Sequence, residues 1–263
     1  VLSAIIPPFK KPGVEAETRV LFDGPTSGAE RASLVLITTT GNIEIWPHRH
    51  PSGAELVYVL EGAAKVRGTA LTWTDLKAGD AVYLPPGVAH GWWWNGSKTK
   101  PARLLFLYSP PGPELALREL GGADSTLPLS AAEVKKPNVK GPQPMVRASA
   151  AASSYIIAQS KGLVRMSFDS QSALDGRGYV GTLHGDPGMV VADHTHDVES
   201  EFFYITKGRG EATLDGVTVS LIPGMAIHFP PRHRHSLKVL EPLEAVQFYA
   251  PSGPEKRFKA PAK

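Results

Sequence analysis

Two stretches of this 263-residue chain repeat one arrangement of imidazole and carboxylate. His48-Arg49-His50 is followed after four residues by Glu55 and after six more by Gly62; His194-Thr195-His196 is followed after four by Glu201 and after six by Gly208. A later segment in each half ends in another histidine at matching distance, running from Gly79 to His90 and from Gly224 to His235. Side chains two apart on a strand share a face, so each His-x-His pair projects two imidazoles in one direction, and the glutamate arrives from the next strand after a short turn. Of the nine histidines, six are these repeated donors and a seventh, His233, lies in the turn just before the last of them. The chain has no cysteine, so a metal here must rely on imidazole and carboxylate. Three neutral imidazoles and a carboxylate leave two positions open on a six-coordinate ion, a set that favours Mn²⁺ or Fe²⁺ and also accommodates Ni²⁺, Cu²⁺ or Zn²⁺. Glu199, two residues before Glu201, ranks below it as a ligand or outer-shell base.

Such residues need rigid strands to carry them. Runs rich in Val, Ile, Leu and aromatics, Ser33 to Thr38, Leu56 to Leu60, Ala81 to Leu84 and Leu104 to Tyr108, read as strands separated by Gly and Pro. The second half repeats the order with Gly188 to Ala192, Phe202 to Thr206, Glu211 to Leu214, Met225 to Phe229 and Ala245 to Tyr249. An all-β chain built by internal duplication is the simplest account. Pro110 to about Ala152 carries Pro-Pro-Gly-Pro, a short helix-like Glu114 to Leu120 and an irregular remainder. The expected organisation is an N-terminal domain over 1–112, a linker and packing arm over 113–152, and a C-terminal domain over 153–263.

Net charge is +3 and the basic residues are dispersed except for Lys256, Arg257, Lys259 and Lys263, a tail expected to be solvated and mobile. No nucleic-acid footprint results. No apolar run reaches the roughly 18 residues of a membrane helix, so a soluble protein without a membrane partner is expected. The chain begins at Val1 without an initiator Met or signal-like region, as a trimmed chain or a mature exported protein would, which leaves cytoplasmic and exported locations open.

The paired segments resemble the two signature motifs of the cupin superfamily, and two complete sets resemble a bicupin over most of both halves. The resemblance implies two jelly-roll-like antiparallel β-barrels in one chain, with metal ligands His48, His50, Glu55 and His90 in one and His194, His196, Glu201 and His235 in the other. Two divalent ions per chain follow. The Pro-x-Gly of the second motif is intact as Pro85-Pro86-Gly87 but reads Pro230-Pro231-Arg232 in the second half, and the asparagine often found after the last histidine has a counterpart only in Asn95. In oxalate-degrading bicupins an arginine three residues after the motif-one glycine orients substrate; Lys65 and Glu211 stand there in this chain, and Asp124 is the nearest match to the acidic lid residue of those enzymes.

If His90 points into its barrel, alternation turns Trp92 and Trp94 inward and Trp93 outward, whereas the second half has the smaller Leu237 and Val239. The second site is therefore expected to be roomier. Arg232 and Arg234 beside His235 could grip a carboxylate, and His184 and His228 are expected to be ordinary surface or edge residues. The leading expectation is a metal-dependent oxidoreductase of dioxygenase or decarboxylase type, acting on a small carboxylate- or enol-bearing molecule. In it Glu55 or Glu201 moves between ligand and proton acceptor, with Lys65 and Arg234 as further catalytic candidates. The alternatives are a non-redox isomerase or hydrolase, or a metal- or ligand-binding bicupin without catalysis. A monomer or small homo-oligomer is expected.

Overall fold

A computed structural model of the chain describes residues 9–10, 16–70, 72–118, 127–128, 143–172 and 175–259. The chain divides near 150/151 into two compact units, and every strand pairing within them is antiparallel.

The N-terminal unit has two sheets. One orders Phe9–Lys10, Ala16–Phe22, Ser33–Thr39, Ala102–Ser109, Ala54–Glu61, Ala81–Leu84 and Met145–Arg147; the other orders Leu127–Pro128, Asn42–Arg49, His90–Asn95, Ala63–Arg67 and Trp73–Lys77. The segment expected as linker and arm thus adds a strand to an edge of each sheet, and it opens with the helix Pro113–Arg118. Alternation supplies the core: Val35 and Ile37, Val57 and Val59, and Leu104 and Phe106 face Trp92 and Trp94. Burying each such side chain stabilises the fold by roughly 1.5–3 kcal/mol.

The C-terminal unit is an eight-stranded sheet with the path Ser153–Ile157, Gly162–Phe168, Tyr179–Gly185, His235–Ala250, Ser200–Leu214 and Val217–Leu221; Val190–His194 also pairs with His235–Ala250, and Ala226–Phe229 with Ser200–Leu214. Two runs expected as separate strands, Phe202 to Thr206 and Glu211 to Leu214, are one strand with register shifts between Ile205 and Gly210. The motif-one Gly208 sits among these shifts, and Gly62 directly follows the N-terminal unit's own shift, which falls between Arg103 and Leu104 on the partner strand. A Cβ on Gly208 would lie 1.9 Å from the Pro242 carbonyl oxygen, and one on Gly62 2.8 Å from Ala102 Cα, so no other residue fits the close approach of the two chains.

Lys256, Arg257 and Lys259 lie in an ordered element, contrary to the expectation of a solvated tail, while Lys263 lies outside the described residues. Pro254–Lys259 forms a 3₁₀ helix. Glu255 is fully buried, accepting hydrogen bonds from the Ser170 and Gly253 backbone N–H groups at 2.9 and 2.5 Å. The Lys259 ammonium pairs with Asp169 and donates to Gln171 at 2.8 Å. This arrangement repeats the N-terminal unit: Gly112-Pro113-Glu114 matches Gly253-Pro254-Glu255, and buried Glu114 accepts from Gly112 N–H at 2.7 Å and the Ser33 hydroxyl at 2.6 Å. Charge composition hid a structural repeat.

Candidate metal centres

Cross-strand pairing gathers the histidines. His48 lies opposite His90 and His194 opposite His235, in each case just after a register shift in the strand that carries the His-x-His pair. A bulge of this kind re-aims the side chains that follow it. Each glutamate sits on the neighbouring strand, Glu55 between Leu84 and Tyr108, Glu201 between Phe229 and Tyr249. The turn before the last histidine closes onto the His-x-His segment, with Gly87 N–H donating to His50 O at 2.8 Å and Arg232 N–H to His196 O at 2.7 Å.

The two clusters have nearly the same geometry. Ring centroids of His48, His50 and His90 are 5.1, 4.3 and 5.3 Å apart; those of His194, His196 and His235 are 5.0, 4.3 and 5.1 Å apart. In the C-terminal unit one donor atom from each of His194, His196, Glu201 and His235 falls within 4.8 Å of all the others. In the N-terminal unit the three imidazoles do so, and Glu55 Oε2 lies 3.1 Å from His50 Nε2 and 3.4 Å from His90 Nε2.

Four of the six rings are oriented by backbone carbonyls. The Nδ1 atoms of His48, His90, His194 and His235 lie 2.8–2.9 Å from the carbonyl oxygens of Trp46, Val88, Ala192 and His233. An acceptor there requires Nδ1–H, which leaves the Nε2 lone pair aimed into the cluster. His90 Nε2 is buried and has no hydrogen-bond partner. A buried lone pair of this kind beside other nitrogen donors and a carboxylate fits a divalent cation. His48, His50, Glu55 and His90 would hold one ion, and His194, His196, Glu201 and His235 a second.

The electrostatics suit such a charge. Burial, helped by the neighbouring His90, lowers the His48 pKa from 6.5 to about 4, so this ring is neutral and free to ligate. Burial also lowers His194. Burial acts to raise both glutamates, but nearby His90 and His50 outweigh it at Glu55, and hydrogen bonds from His196 and His235 outweigh it at Glu201; both carboxyls end well below their usual range. Burial pulls His235 down while its bond to Glu201 more than compensates, so its net shift is upward. A cation entering this site displaces that proton.

Beyond the donors the two sites diverge. Glu201 Oε1 accepts hydrogen bonds from Gln247 Nε2 at 2.6 Å and Tyr249 OH at 3.1 Å. Glu55 Oε1 is buried without a partner: Phe106 occupies the place of Gln247, and Tyr108, in the place of Tyr249, makes no hydrogen bond to it. Trp92 and Trp94 point inward as alternation requires, at most 1% exposed, and pack with Phe106 at centroid distances of 5.6 and 6.2 Å. Leu237 and Val239 leave room in the C-terminal unit, where a cavity of about 200 Å³ reaches His194, His196, Glu201 and His235. Leu183, Val191, Phe203, Phe229 and Leu237 form its apolar wall, and Gln247, Tyr249 and Arg257 also line it. Gln247 and Tyr249 escaped the sequence reading because only the Glu201–Tyr249 register brings them to the site.

Other candidates stand elsewhere. Lys65 is on the outer face of its strand, between inward Ala64 and Val66, with its ammonium 2.9 Å from Asp75 and 5.5 Å over the outward Trp93 ring. It has no path to the cluster. Arg234 is exposed and paired with Asp193 at 2.6 Å, outside the cavity lining. Glu199 lies in the turn beside Gly253 and is not part of the cluster. Asp124 lies outside the described residues. His184 is half-buried, but His228, expected at a surface or edge, is fully buried, stacked on Phe202 at 4.5 Å and bonded to the Ser200 hydroxyl at 3.1 Å. Both faces of its strand are covered, so alternation there does not signal exposure.

Two antiparallel barrels, each with one His-x-His pair, a glutamate and a distant histidine on its inner face, define a two-site metal-binding class. Residues 35–108 and 182–249 both match the cupin domain model, and the chain belongs to the cupin family, with two such domains. No curated protein matches the chain by sequence. Among solved structures, it is similar to Lactobacillus farciminis oxalate decarboxylase in a formate complex, at 17% identity and TM-score 0.68, over 99% of this chain and 92% of that one. It is also similar to a single-site variant of Bacillus subtilis oxalate decarboxylase, at 19% identity and TM-score 0.66, over 95% of this chain and 76% of that one. Another structure of the Bacillus enzyme, at 18% identity and TM-score 0.64 over 96% and 78%, is described by its Mn(II) centres. At these identities the likeness bears on the fold.

Proposed function

We propose that the chain is a metal-dependent bicupin enzyme of decarboxylase or dioxygenase type, with Mn or Fe favoured, acting on a small carboxylate- or enol-bearing molecule at the C-terminal site. The observation that carries this reading is the complete four-donor cluster at a cavity of about 200 Å³, with the carboxylate held by Gln247 and Tyr249. The Mn(II) centres named for the Bacillus neighbour favour the same metals.

When bound, a divalent ion there supplies Lewis acidity and open positions for a substrate oxygen. The chain's own residues set the rest. Gln247 and Tyr249 fix Oε1 of Glu201, so Oε2 stays directed at His196 and His235. Its lowered pKa makes Glu201 a ligand first and only a weak proton acceptor. Burial, together with the Glu201 charge, raises the Tyr249 pKa well above 10, so this hydroxyl remains a donor at neutral pH. The apolar wall limits water around the reacting group, which strengthens each polar contact within.

The test is elemental analysis of the full chain before and after loading with Mn, followed by CO₂ release and O₂ uptake with a panel of small dicarboxylic, 2-oxo and enolic acids. Metal close to one equivalent per cluster, with turnover of one of these compounds, is expected. A chain that takes no metal after loading overturns the metal reading, and a loaded chain that binds these acids without turnover overturns the enzyme.

A further inference from the structure

The polar groups around the C-terminal cavity come from two sources. The donors, with Gln247 and Tyr249, come from the barrel strands; Arg257 comes from the 3₁₀ helix Pro254–Lys259 that follows the last strand. Among the lining residues outside the four-donor cluster, Arg257 is the only one with a full charge. It is exposed while lining the cavity, which puts it at the opening, and no acidic side chain among the described residues pairs with it. Its neighbours are held firmly: Glu255 is buried on two backbone N–H groups, Lys259 is tied to Asp169 and Gln171, and Phe258 packs against the barrel core. The helix is anchored on both sides of a guanidinium that has no ionic partner among the described residues.

The N-terminal unit supplies the control. Its matching helix begins with the same Gly-Pro-Glu, and counting from there the position of Arg257 is held by Ala116. The guanidinium therefore accompanies the unit with the open cavity and is missing from the unit plugged by tryptophans. Apart from Arg257, the cluster, Ser236, Gln247 and Tyr249, the lining is aliphatic and aromatic. A ligand as small as oxalate has no apolar atoms to set against that wall, so the lining calls for a longer molecule.

We propose that Arg257 is the specificity-determining residue of the C-terminal site, and that the ligand is a molecule with an apolar body, one oxygen-bearing end at the His194, His196, Glu201 and His235 cluster and a carboxylate at Arg257. This rests on the metal-site reading above. Arg257 acts by binding and orientation: its planar fork accepts a carboxylate in a bidentate manner, which holds the far end of the substrate while the near end occupies the cluster.

Adipate and hexanoate are the probes, titrated calorimetrically into the Mn-loaded full chain as wild type, Arg257→Gln and Arg257→Lys. Adipate has two carboxylates separated by methylenes, and hexanoate has the same body with one. Wild type is expected to bind adipate about fivefold more tightly than hexanoate, the scale of a partly solvated ion pair. Arg257→Gln is expected to abolish that preference without changing hexanoate binding, and Arg257→Lys to restore part of it. A preference for adipate that persists in Arg257→Gln, or that is absent from wild type, overturns the proposal. Mn content measured on the same samples separates the two readings: an Arg257→Gln protein with full metal and unchanged adipate affinity sinks only the role of Arg257. If His194→Ala leaves Mn content unchanged, the metal site on which the proposal rests is wrong.

Discussion

The two barrels hold the same donors in the same geometry and surround them differently. In the N-terminal unit Trp92, Trp94 and Phe106 fill the space beside the cluster, and Glu55 has an unpartnered carboxylate oxygen. In the C-terminal unit Leu237, Val239 and Gln247 take those places, a cavity opens, and both Glu201 oxygens are engaged. A duplicated ligand set is therefore no measure of duplicated function. Donor spacing specifies where a cation binds, and the residues two and four positions beyond the last histidine, with Phe106 or Gln247 further along the chain, decide whether anything else can reach it.

The sharpest way to break this comparison is to disable one cluster at a time. His196→Ala is expected to lower turnover by about a thousandfold or more, the scale of several kcal/mol of lost transition-state stabilisation. His50→Ala should leave turnover within a few-fold of wild type, while each variant loses one equivalent of metal. Should His50→Ala abolish turnover and His196→Ala spare it, the ranking of the two sites is reversed. A smaller effect comes from exchanging the residue beside the glutamate. Gln247→Phe installs the N-terminal unit's residue, removes the 2.6 Å donor to Glu201 Oε1, and should weaken metal affinity or turnover about 10- to 100-fold, as loss of an outer-shell partner does. Unchanged metal affinity and turnover would show that the Glu201 contacts are incidental.

A third exchange concerns stability. His228 and Tyr83 occupy matching positions, opposite Phe202 and Leu56. Burial lowers the His228 pKa from 6.5 to about 3. Between those values the unfolded chain carries a proton on this ring that the folded chain does not, so stability falls as pH drops through the window. At pH 5 the loss relative to pH 7 is about 2 kcal/mol. His228→Tyr should flatten the denaturation midpoint of metal-free protein over that range, whatever it does to stability at pH 7. An unaltered slope would place the acid sensitivity elsewhere, for instance at His48.

Much of this was legible because period-2 alternation and donor spacing are local. The His-x-His pairs, their glutamates, the inward Trp92 and Trp94 and the smaller Leu237 and Val239 all follow from counting along a strand. What was not legible depends on partners distant in sequence. Gln247 and Tyr249 reach Glu201 through a register set between two long strands, and no spacing encodes it. His228 was expected at a surface or edge from its residue type, and alternation could not correct this because it does not say whether both faces of a strand are covered. The Pro254–Lys259 helix was mistaken for a solvated tail because its lysines and arginine dominate the composition, yet Gly-Pro-Glu at 112–114 and 253–255 was a signal available in the sequence.

The smallest expected effect tests the turn that departs from the motif. Gly87 has φ of 76°, and Arg232 has nearly the same value, 68°. Both residues donate their N–H to the carbonyl of the second His-x-His histidine, so the turn is the same in each barrel and the C-terminal one adopts it with a side chain that disfavours it. A left-handed conformation costs a non-glycine residue about 1 kcal/mol. Arg232→Gly should therefore stabilise the metal-free protein by up to that amount, less the extra entropy glycine gives the unfolded chain. Equilibrium denaturation of the two proteins at neutral pH measures the difference. A destabilised variant would mean that the Arg232 side chain makes a favourable contribution larger than its backbone strain, and that the loss of glycine in the second motif serves the barrel that retained an open site.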